Sequence, residues 1–274
     1  MTFNIIGFIL PEITIAIGIC SVILVNSLVK KITPGFIHGL ILLFLSLGLF
    51  FSFVSLEIPD NTIFNGHYAI DSFGTNLKII ALIAAILVHL SSVKSKQNIK
   101  NEIFLIQLFA TLGVLILCSA KNLLTVYLGL ETLTLSMYGI VASNRNSIDA
   151  TESAMKFFIL GAIASAIFLY GISILYGVTG TLSLDTIKGS LMLDTLEMRV
   201  AVAFIACGII FKFGAFPFHS WVPDSYQGSN TTAAIYVSSV PKIGAFALIA
   251  RLFLDALNAM SDYWPIITHC IQGI

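Results

Sequence analysis

Long apolar runs, separated by short polar or helix-breaking segments, dominate the chain. A helix needs about 20 apolar residues to cross the hydrocarbon core of a bilayer. Setting the apolar runs against the breakers predicts membrane-spanning helices. The eight predicted spans lie near residues 5–29, 36–54, 73–93, 103–119, 122–142, 154–176, 200–218 and 230–254. After them, residues 255–274 begin polar and offer only an apolar run too short to span.

The composition agrees with this pattern. Hydrophobic residues make up 57% of the 274 residues and charged residues only 10%, against about 25% charged in soluble domains. A disordered chain would be poor in apolar residues, so disorder is excluded. The net charge is zero, which provides no basic surface for a nucleic acid. The predicted fold class is therefore all-α, a polytopic bundle of about eight membrane helices surrounded by lipid.

The cysteines and the N-terminus contribute little chemistry. The chain has no C-x-x-C pair, and we interpret its cysteines as small buried apolar residues. The four cysteines are Cys20, Cys118, Cys207 and Cys270. No glycine-rich phosphate loop occurs either, so we expect no catalytic, cofactor-binding or metal-binding residues on this chain. Glu12 and the lack of a basic leader distinguish the first run from a signal peptide, so we expect it to be retained as a span.

Lysine and arginine in short loops predict the orientation, because they are enriched on the cytoplasmic side. One set of loops carries Lys30, Lys31, Lys94, Lys96, Lys100 and Arg145. The opposite set carries Lys121, Lys188 and Arg199 with the acidic Glu57, Asp60, Asp71, Asp185, Asp194 and Glu197. The first set is predicted to be cytoplasmic, which places the N-terminus outside.

Three charges fall deep within predicted spans: Glu131, Lys212 and Lys242. Each opposes insertion by about 2.5–3.5 kcal/mol at a helix centre, so these residues are expected to pair inside the bundle or to line water. A contact with Glu131 would hold Lys212 charged, and loosening that contact would let the lysine release a proton. The pattern indicates a proton-transfer site; the alternative is a static ion pair.

Two further residues have two interpretations each. Lys156 follows Glu152 by one turn, which fits either a functional lysine or a surface ion pair whose lysine extends to the headgroups. His219, seven residues after Lys212, could relay protons or simply end a helix. Arg251, near the end of the eighth span, is predicted to anchor that helix at the membrane surface. We assign no role to His38, His67, His89 and His269.

A cluster of helix breakers follows Lys212. Gly214, Pro217 and Pro223 lie within ten residues, and each proline removes a backbone donor. A helix interrupted beside ionisable residues is typical of ion sites in transporters; an ordinary helix end followed by a loop is the alternative. Pro241 is predicted to kink the eighth helix and to open a backbone carbonyl toward the neighbouring Lys242.

Four stretches carry a resemblance to a known family: LGLETLTLSMYGIVA, ESAMKFFILGAIASAIFLYG, KFGAFPFHSWVPDSYQG and VPKIGAFALIARLF. Over essentially the whole chain, the sequence resembles the subunit N family of the proton-pumping NADH–quinone oxidoreductases (respiratory complex I). The PFHSWVPD core is shared with the wider antiporter-like family, which includes multisubunit sodium–proton antiporters. The SYQG element and the Pro241-Lys242 pair look like subunit N in particular.

The resemblance implies a translocase subunit that moves protons while other subunits reduce quinone. Glu131, Lys212 and Lys242 match the family's glutamate and lysines, and His219 and Lys156 would extend a hydrated path. NADH, FMN, iron–sulfur clusters and quinone are then expected on other subunits, with no redox catalysis on this chain. The implied partners are neighbouring antiporter-like subunits and lipid. The implied location is a bacterial plasma (inner) membrane or, alternatively, the mitochondrial inner membrane.

The resemblance also implies an organisation. Residues 1–100 would form an N-terminal three-helix segment, residues 101–254 the first of two inverted five-helix repeats, and residues 255–274 the start of an incomplete next segment. Family members have fourteen helices, so the chain is expected to be truncated at its C-terminus. It also departs from the family's proline-containing APTP-like run, reading Ser229 to Ala233 there. A sodium–proton antiporter subunit and a non-transporting structural fragment stay as alternative functions.

Overall fold

The computed structural model describes residues 9–28, 34–93, 101–143, 147–190 and 195–256. The chain first forms α1 (Leu10–Leu28), α2 (Pro34–Ser55), the strands β1 (Asn61–Ile63) and β2 (Tyr68–Ile70), α3 (Ser72–Val93) and α4 (Asn101–Ser119). It continues with α5 (Leu123–Val141), α6 (Ile148–Thr179), α7 (Leu184–Ser190), α8 (Leu196–Phe213), α9 (Trp221–Gly228) and α10 (Thr231–Ile249). A π-helical segment, Ala250–Ala256, extends α10.

The helices confirm the predicted membrane bundle. Seven of them in the described ranges are long and apolar enough to cross a bilayer. The remaining predicted span, the seventh, corresponds to α8, which has 18 residues but carries Glu197, Arg199 and Lys212. Many apolar side chains lie on the outside of the bundle, such as Leu128, 55% exposed, and Leu135, 59% exposed, as expected for a surface that faces lipid. Cys20 is also exposed there, contrary to the predicted burial, because an outward apolar position needs no protein cover.

Two of the helices differ most from the predicted spans. The sixth has 32 residues, about 48 Å at 1.5 Å per residue, and therefore extends beyond the predicted 154–176 at both ends. The Ser147 side chain accepts a hydrogen bond from the Ala150 N–H at its start, and Gly180 closes it at φ 68°. The seventh predicted span, 200–218, instead runs from Leu196 to Phe213.

Several connections converge at one end of the bundle, which we call the hairpin end (residues 61–70, 120–122 and 180–185). The antiparallel β1–β2 hairpin, which the sequence did not predict, bridges to the end of α4 through Tyr68 and Ala120. Lys121 donates its N–H to the His67 carbonyl and its ammonium to Asp185, 2.9 Å away. These are residues of the predicted outer side. The lysine-rich loops of the predicted cytoplasmic side, with Arg145, lie outside the described residues.

Close packing between α4 and α5 sets the orientation of α5, the helix that carries Glu131. At Gly113 a Cβ would lie 2.7 Å from the Leu133 nitrogen and 2.9 Å from the Gly129 carbonyl oxygen. The α4 and α5 backbones can therefore approach closely, as small residues permit in membrane bundles. Because Gly129 and Leu133 pack on α4, the contact sets the direction in which Glu131 and Thr134 project from α5.

Candidate proton-transfer site

The site begins where α8 stops. Gly214 adopts φ +68°, and its N–H donates to the Phe211 carbonyl at 2.9 Å. The Ala215 N–H donates to the Ile210 carbonyl at 3.1 Å. These two bonds make a Schellman motif with glycine in the left-handed position. Gly214 therefore breaks the helix, as the sequence predicted.

The chain resumes as a helix at Trp221, so the interruption separates two helical pieces. Pro217 lies in the connection, after a cis peptide bond with Phe216. The expectation that Pro223 breaks a helix is wrong: it lies in the first turn of α9, where a missing N–H is tolerated. Pro241 is likewise inside α10, which continues through it to Ile249.

Lys242 binds the end of α8. Its ammonium donates to the Phe213 carbonyl at 2.6 Å and to the Lys212 carbonyl at 3.4 Å. The last carbonyls of a helix lack partners within the helix and carry its negative dipole end, so a cation suits this position. We expected a carbonyl opened by Pro241; the carbonyls come instead from the broken helix, because the Schellman motif leaves these two without backbone donors.

Trp221 joins the two pieces of the broken helix. Its indole N–H donates to the Phe211 carbonyl at 3.0 Å, and its ring lies 5.2 Å from the Lys242 ammonium. The ring also stacks on Phe157 of α6, with 4.4 Å between centroids. At 1% exposure, Trp221 fixes α9 against α6, α8 and α10.

Lys212 extends across the bundle to α5. Its ammonium donates to the Thr134 hydroxyl at 2.6 Å, and that hydroxyl donates to the Leu130 carbonyl at 2.6 Å. Lys212 and Thr134 line a cavity of ≈ 20 Å³, counted as space open to water centres, with Trp221 and Pro241. About 10–15 Å³ of such space holds one water, so the lysine has room for a single water beside it.

Glu131 lies one turn before Thr134 on α5. Its Oε1 is buried and has no hydrogen-bond partner within the described structure. Among the described residues, Lys212 makes its polar side-chain contact with Thr134, and no Glu131–Lys212 ion pair forms. The sequence suggested that Lys212 contacts the Glu131 carboxylate. It contacts the Thr134 hydroxyl instead, one turn further along α5.

Residues 120–272 match the family model described as "NADH:quinone oxidoreductase/Mrp antiporter, TM", which is more than half of the chain. The chain belongs to this family. It is a multi-pass membrane protein with the antiporter-like fold.

Two curated relatives of the family are similar to most of this chain. The chain is 37% identical over 264 residues to the NADH-quinone oxidoreductase subunit N of Ruthia magnifica, covering 93% of this chain and 54% of the relative. It is 44% identical over 211 residues to that of Acidithiobacillus ferrooxidans, covering 75% and 44%. The chain thus spans about half the length of the curated relatives it matches.

Solved structures of the family share the fold. Respiratory complex I from Thermus thermophilus contains a chain that is 29% identical, with a TM-score of 0.75 over 88% of this chain and 52% of that one. The Mrp complex from Dietzia gives a TM-score of 0.81 at 16% identity, covering 95% and 51%; this similarity concerns the fold alone.

Lys156 and His219, the residues matched to a family path, lie at the periphery. Lys156 pairs with Glu152 at 2.8 Å, at the predicted i,i+4 spacing, and with Asp224 of α9 at 3.2 Å. Its side chain is 50% exposed. His219 is exposed in the connection before α9 and stacks on Phe216. Within the described residues neither side chain is in direct contact with Lys212.

The prediction that Arg251 anchors its helix at the membrane surface is wrong. The arginine does not extend to the membrane surface: it is 1% exposed and makes two bonds to Asp71, at 2.5 and 2.6 Å, and two to the Cys118 carbonyl. Partial burial opposes the charge on Asp71, but the guanidinium outweighs it and holds the pKa of that carboxyl below its ordinary value. The buried end of α4 and the π-helical segment place the arginine inside, and no local sequence signal could show it.

A second buried ion pair, which the sequence did not predict, lies between α1 and α3. Lys78 of α3 lies 2.7 Å from Glu12 of α1, with side chains 5% and 7% exposed. A signal did exist, because both residues fall inside predicted spans. Among the described side chains, no group of three or more His, Cys, Asp or Glu could hold a metal ion.

Proposed function

We propose that the chain is a proton-translocating membrane subunit of an NADH–quinone oxidoreductase in a bacterial inner membrane. One observation carries the proposal. The Lys212 ammonium, at the end of a broken helix, binds Thr134 one turn from Glu131, whose buried Oε1 has no partner among the described residues. Ionisable groups at membrane depth mark ion pathways by default, and interrupted helices beside them strengthen that interpretation.

The geometry suggests how a proton would move. The Thr134 hydroxyl accepts a hydrogen bond from Lys212 and donates one to the Leu130 carbonyl. If the hydroxyl rotates away from that carbonyl, it can take the lysine proton while its own proton passes to a water or to the Glu131 carboxylate. One O–H bond forms as another breaks, and the lysine becomes neutral. The cavity beside Lys212 has room for about one water. That water would give one proton to the amine as it takes another from the incoming side, so the water itself is unchanged.

Lys242 would respond to the protonation and deprotonation of Lys212. It holds the carbonyl of Lys212 itself and that of Phe213, so the positions of the two lysines are joined through the end of α8. A change in the charge of one lysine alters the electrostatic free energy of the other, because both lie in a region of low dielectric constant.

The relatives' names support the coupling. Proteins named NADH-quinone oxidoreductase subunit N are 36–44% identical to this chain. We therefore expect neighbouring antiporter-like subunits as partners, and NADH, FMN, iron–sulfur clusters and quinone on other subunits. The free energy for pumping would come from quinone reduction there.

The test uses membrane vesicles that contain the assembled complex. Lys212→Ala and Glu131→Ala should each reduce NADH-driven proton uptake, while assembly stays normal. Lys188→Ala, which removes an exposed lysine of α7, is the matched control. Unchanged pumping in the first two variants with normal assembly would overturn the proposal.

A sodium–proton antiporter subunit is the second candidate, because the family description includes the Mrp antiporters. The two candidates differ in their partners. Purification of this chain together with flavin and iron–sulfur subunits supports the oxidoreductase, and purification with antiporter subunits alone supports the second candidate.

A further inference from the structure

A second buried ionisable cluster lies at the hairpin end, away from Lys212. Lys78 donates to the Tyr68 hydroxyl at 2.7 Å and pairs with Glu12 at 2.7 Å. The cluster joins three elements: the first turn of α1, the second turn of α3 and strand β2. All three side chains are buried, with Tyr68 at 6% exposure.

The hydrogen bonding of Glu12 is incomplete. Its Oε2 is buried and has no partner within the part of the chain that the structure describes. Buried polar atoms in native proteins are nearly always hydrogen-bonded, so an orphan oxygen calls for an explanation. A buried ion pair is also weak evidence for a purely stabilising role, since apolar residues often replace such pairs without loss. The free oxygen can instead take a proton.

Tyr68 joins the ion pair to the β1–β2 hairpin and is itself buried. It lies on the hairpin, and the Ser119 side chain lies next to its hydroxyl. Burial raises the pKa of the Tyr68 hydroxyl and the charge of Glu12 raises it further, so the residue stays a neutral O–H group that can pass protons. Asp71, with its side chain 23% exposed, lies at the same end and pairs with Arg251.

The charges around the cluster balance. Lys78 faces Glu12 from α3, and Arg251, which pairs with Asp71, binds the Cys118 carbonyl at the end of α4. These charged residues form two opposite pairs. An added proton on Glu12 therefore leaves an excess positive charge, which favours its release toward the water at the hairpin end.

We propose that Glu12, Lys78 and Tyr68 form a second proton-binding site, which releases protons at the hairpin end; this rests on the proposed pumping function. A proton binds the free oxygen of Glu12 and forms an O–H bond. Lys78 then gives a proton to the Tyr68 oxygen as Tyr68 gives its own to water. The Glu12 proton moves to the Lys78 nitrogen and restores the ion pair. One proton enters and one leaves.

The test measures the rate of NADH-driven proton uptake in vesicles with the assembled complex. Tyr68→Phe keeps the ring and the ion pair but removes the relaying hydroxyl, and it should slow uptake about tenfold, the effect of one lost hydrogen bond. Tyr170→Phe, at an exposed tyrosine of α6, is the matched control and should pump as the parent does. Normal uptake by Tyr68→Phe would overturn the proposal.

A second variant separates proton transfer from packing. The double change Glu12→Gln and Lys78→Met removes both charges together, so the fold keeps a neutral core. Assembly with slowed uptake supports the proposal, and assembly with full uptake shows a merely structural pair and overturns it. If Lys212→Ala abolishes uptake while these variants pump normally, only this inference fails; if Lys212→Ala also pumps normally, the proposed function fails as well.

Discussion

The Lys242 ammonium lies 2.6 Å from the Phe213 carbonyl oxygen, so a charge on α10 completes the hydrogen bonding of α8. Charge-assisted bonds are about twice as strong as neutral ones. The broken helix is therefore held most firmly while Lys242 is protonated. The conformation at the end of α8 therefore depends on the protonation state of Lys242.

Replacing Lys242 by Met should destabilise the protein. Two carbonyls at the end of α8 would lose their donor, and an unmade buried bond costs about 1–3 kcal/mol. Thermal unfolding of the detergent-solubilised chain measures the loss. Lys242→Arg, which keeps a cationic donor, is the control and should lose less. Equal stability of the Met variant and the parent would contradict the role of Lys242 at the helix end.

Thr134→Val should weaken proton transfer, because it removes the hydroxyl that Lys212 contacts while keeping the side-chain shape. A loss of about 1.4 kcal/mol corresponds to tenfold slower NADH-driven uptake. Thr134→Ser retains the hydroxyl and should stay close to the parent. Equal rates for Val and Ser would show that this contact does not carry protons.

The Asp71–Arg251 pair should make stability depend on acid pH. The pKa of Asp71 is lowered in the folded protein, so its contribution is present above the ordinary aspartate value of about 3.9. It is lost as pH falls through the lower folded value. Asp71→Asn should remove this dependence and lower stability by up to about 3–5 kcal/mol, because it removes one partner of a largely buried ion pair. Unfolding temperatures between neutral and acid pH test this, and parallel curves for parent and variant would contradict it.

Gly228→Ala should loosen α9 from α6. The added Cβ would lie 2.0 Å from the Ser153 hydroxyl oxygen and 2.8 Å from its Cβ, and overpacking costs about 1–3 kcal/mol. Gly177→Ala, where nothing lies within 4 Å, is the control and should be neutral or stabilising. Protease sensitivity near α9 and unfolding temperature report the difference. A stable Gly228→Ala protein would mean that α9 can shift without loss.

The spans were predictable because each depends on its own apolar run. The end of α8 was predicted too late, since Phe216 and Phe218 extend the apolar run beyond Gly214, whose left-handed backbone stops the helix. Glu131, Lys212 and Lys242 were found as charges in apolar surroundings. The Asp71–Arg251 pair was not found, because the two residues are 180 positions apart and hydropathy carries no information on pairing.

The same separation has a consequence for biogenesis. Asp71 emerges from the ribosome 180 residues before Arg251, an interval of about 10–40 seconds at 5–20 residues per second. During that time the Asp71 carboxylate lacks its arginine partner. The pair can therefore form only after α10 has been synthesised, and it then ties that helix to the segment that precedes α3.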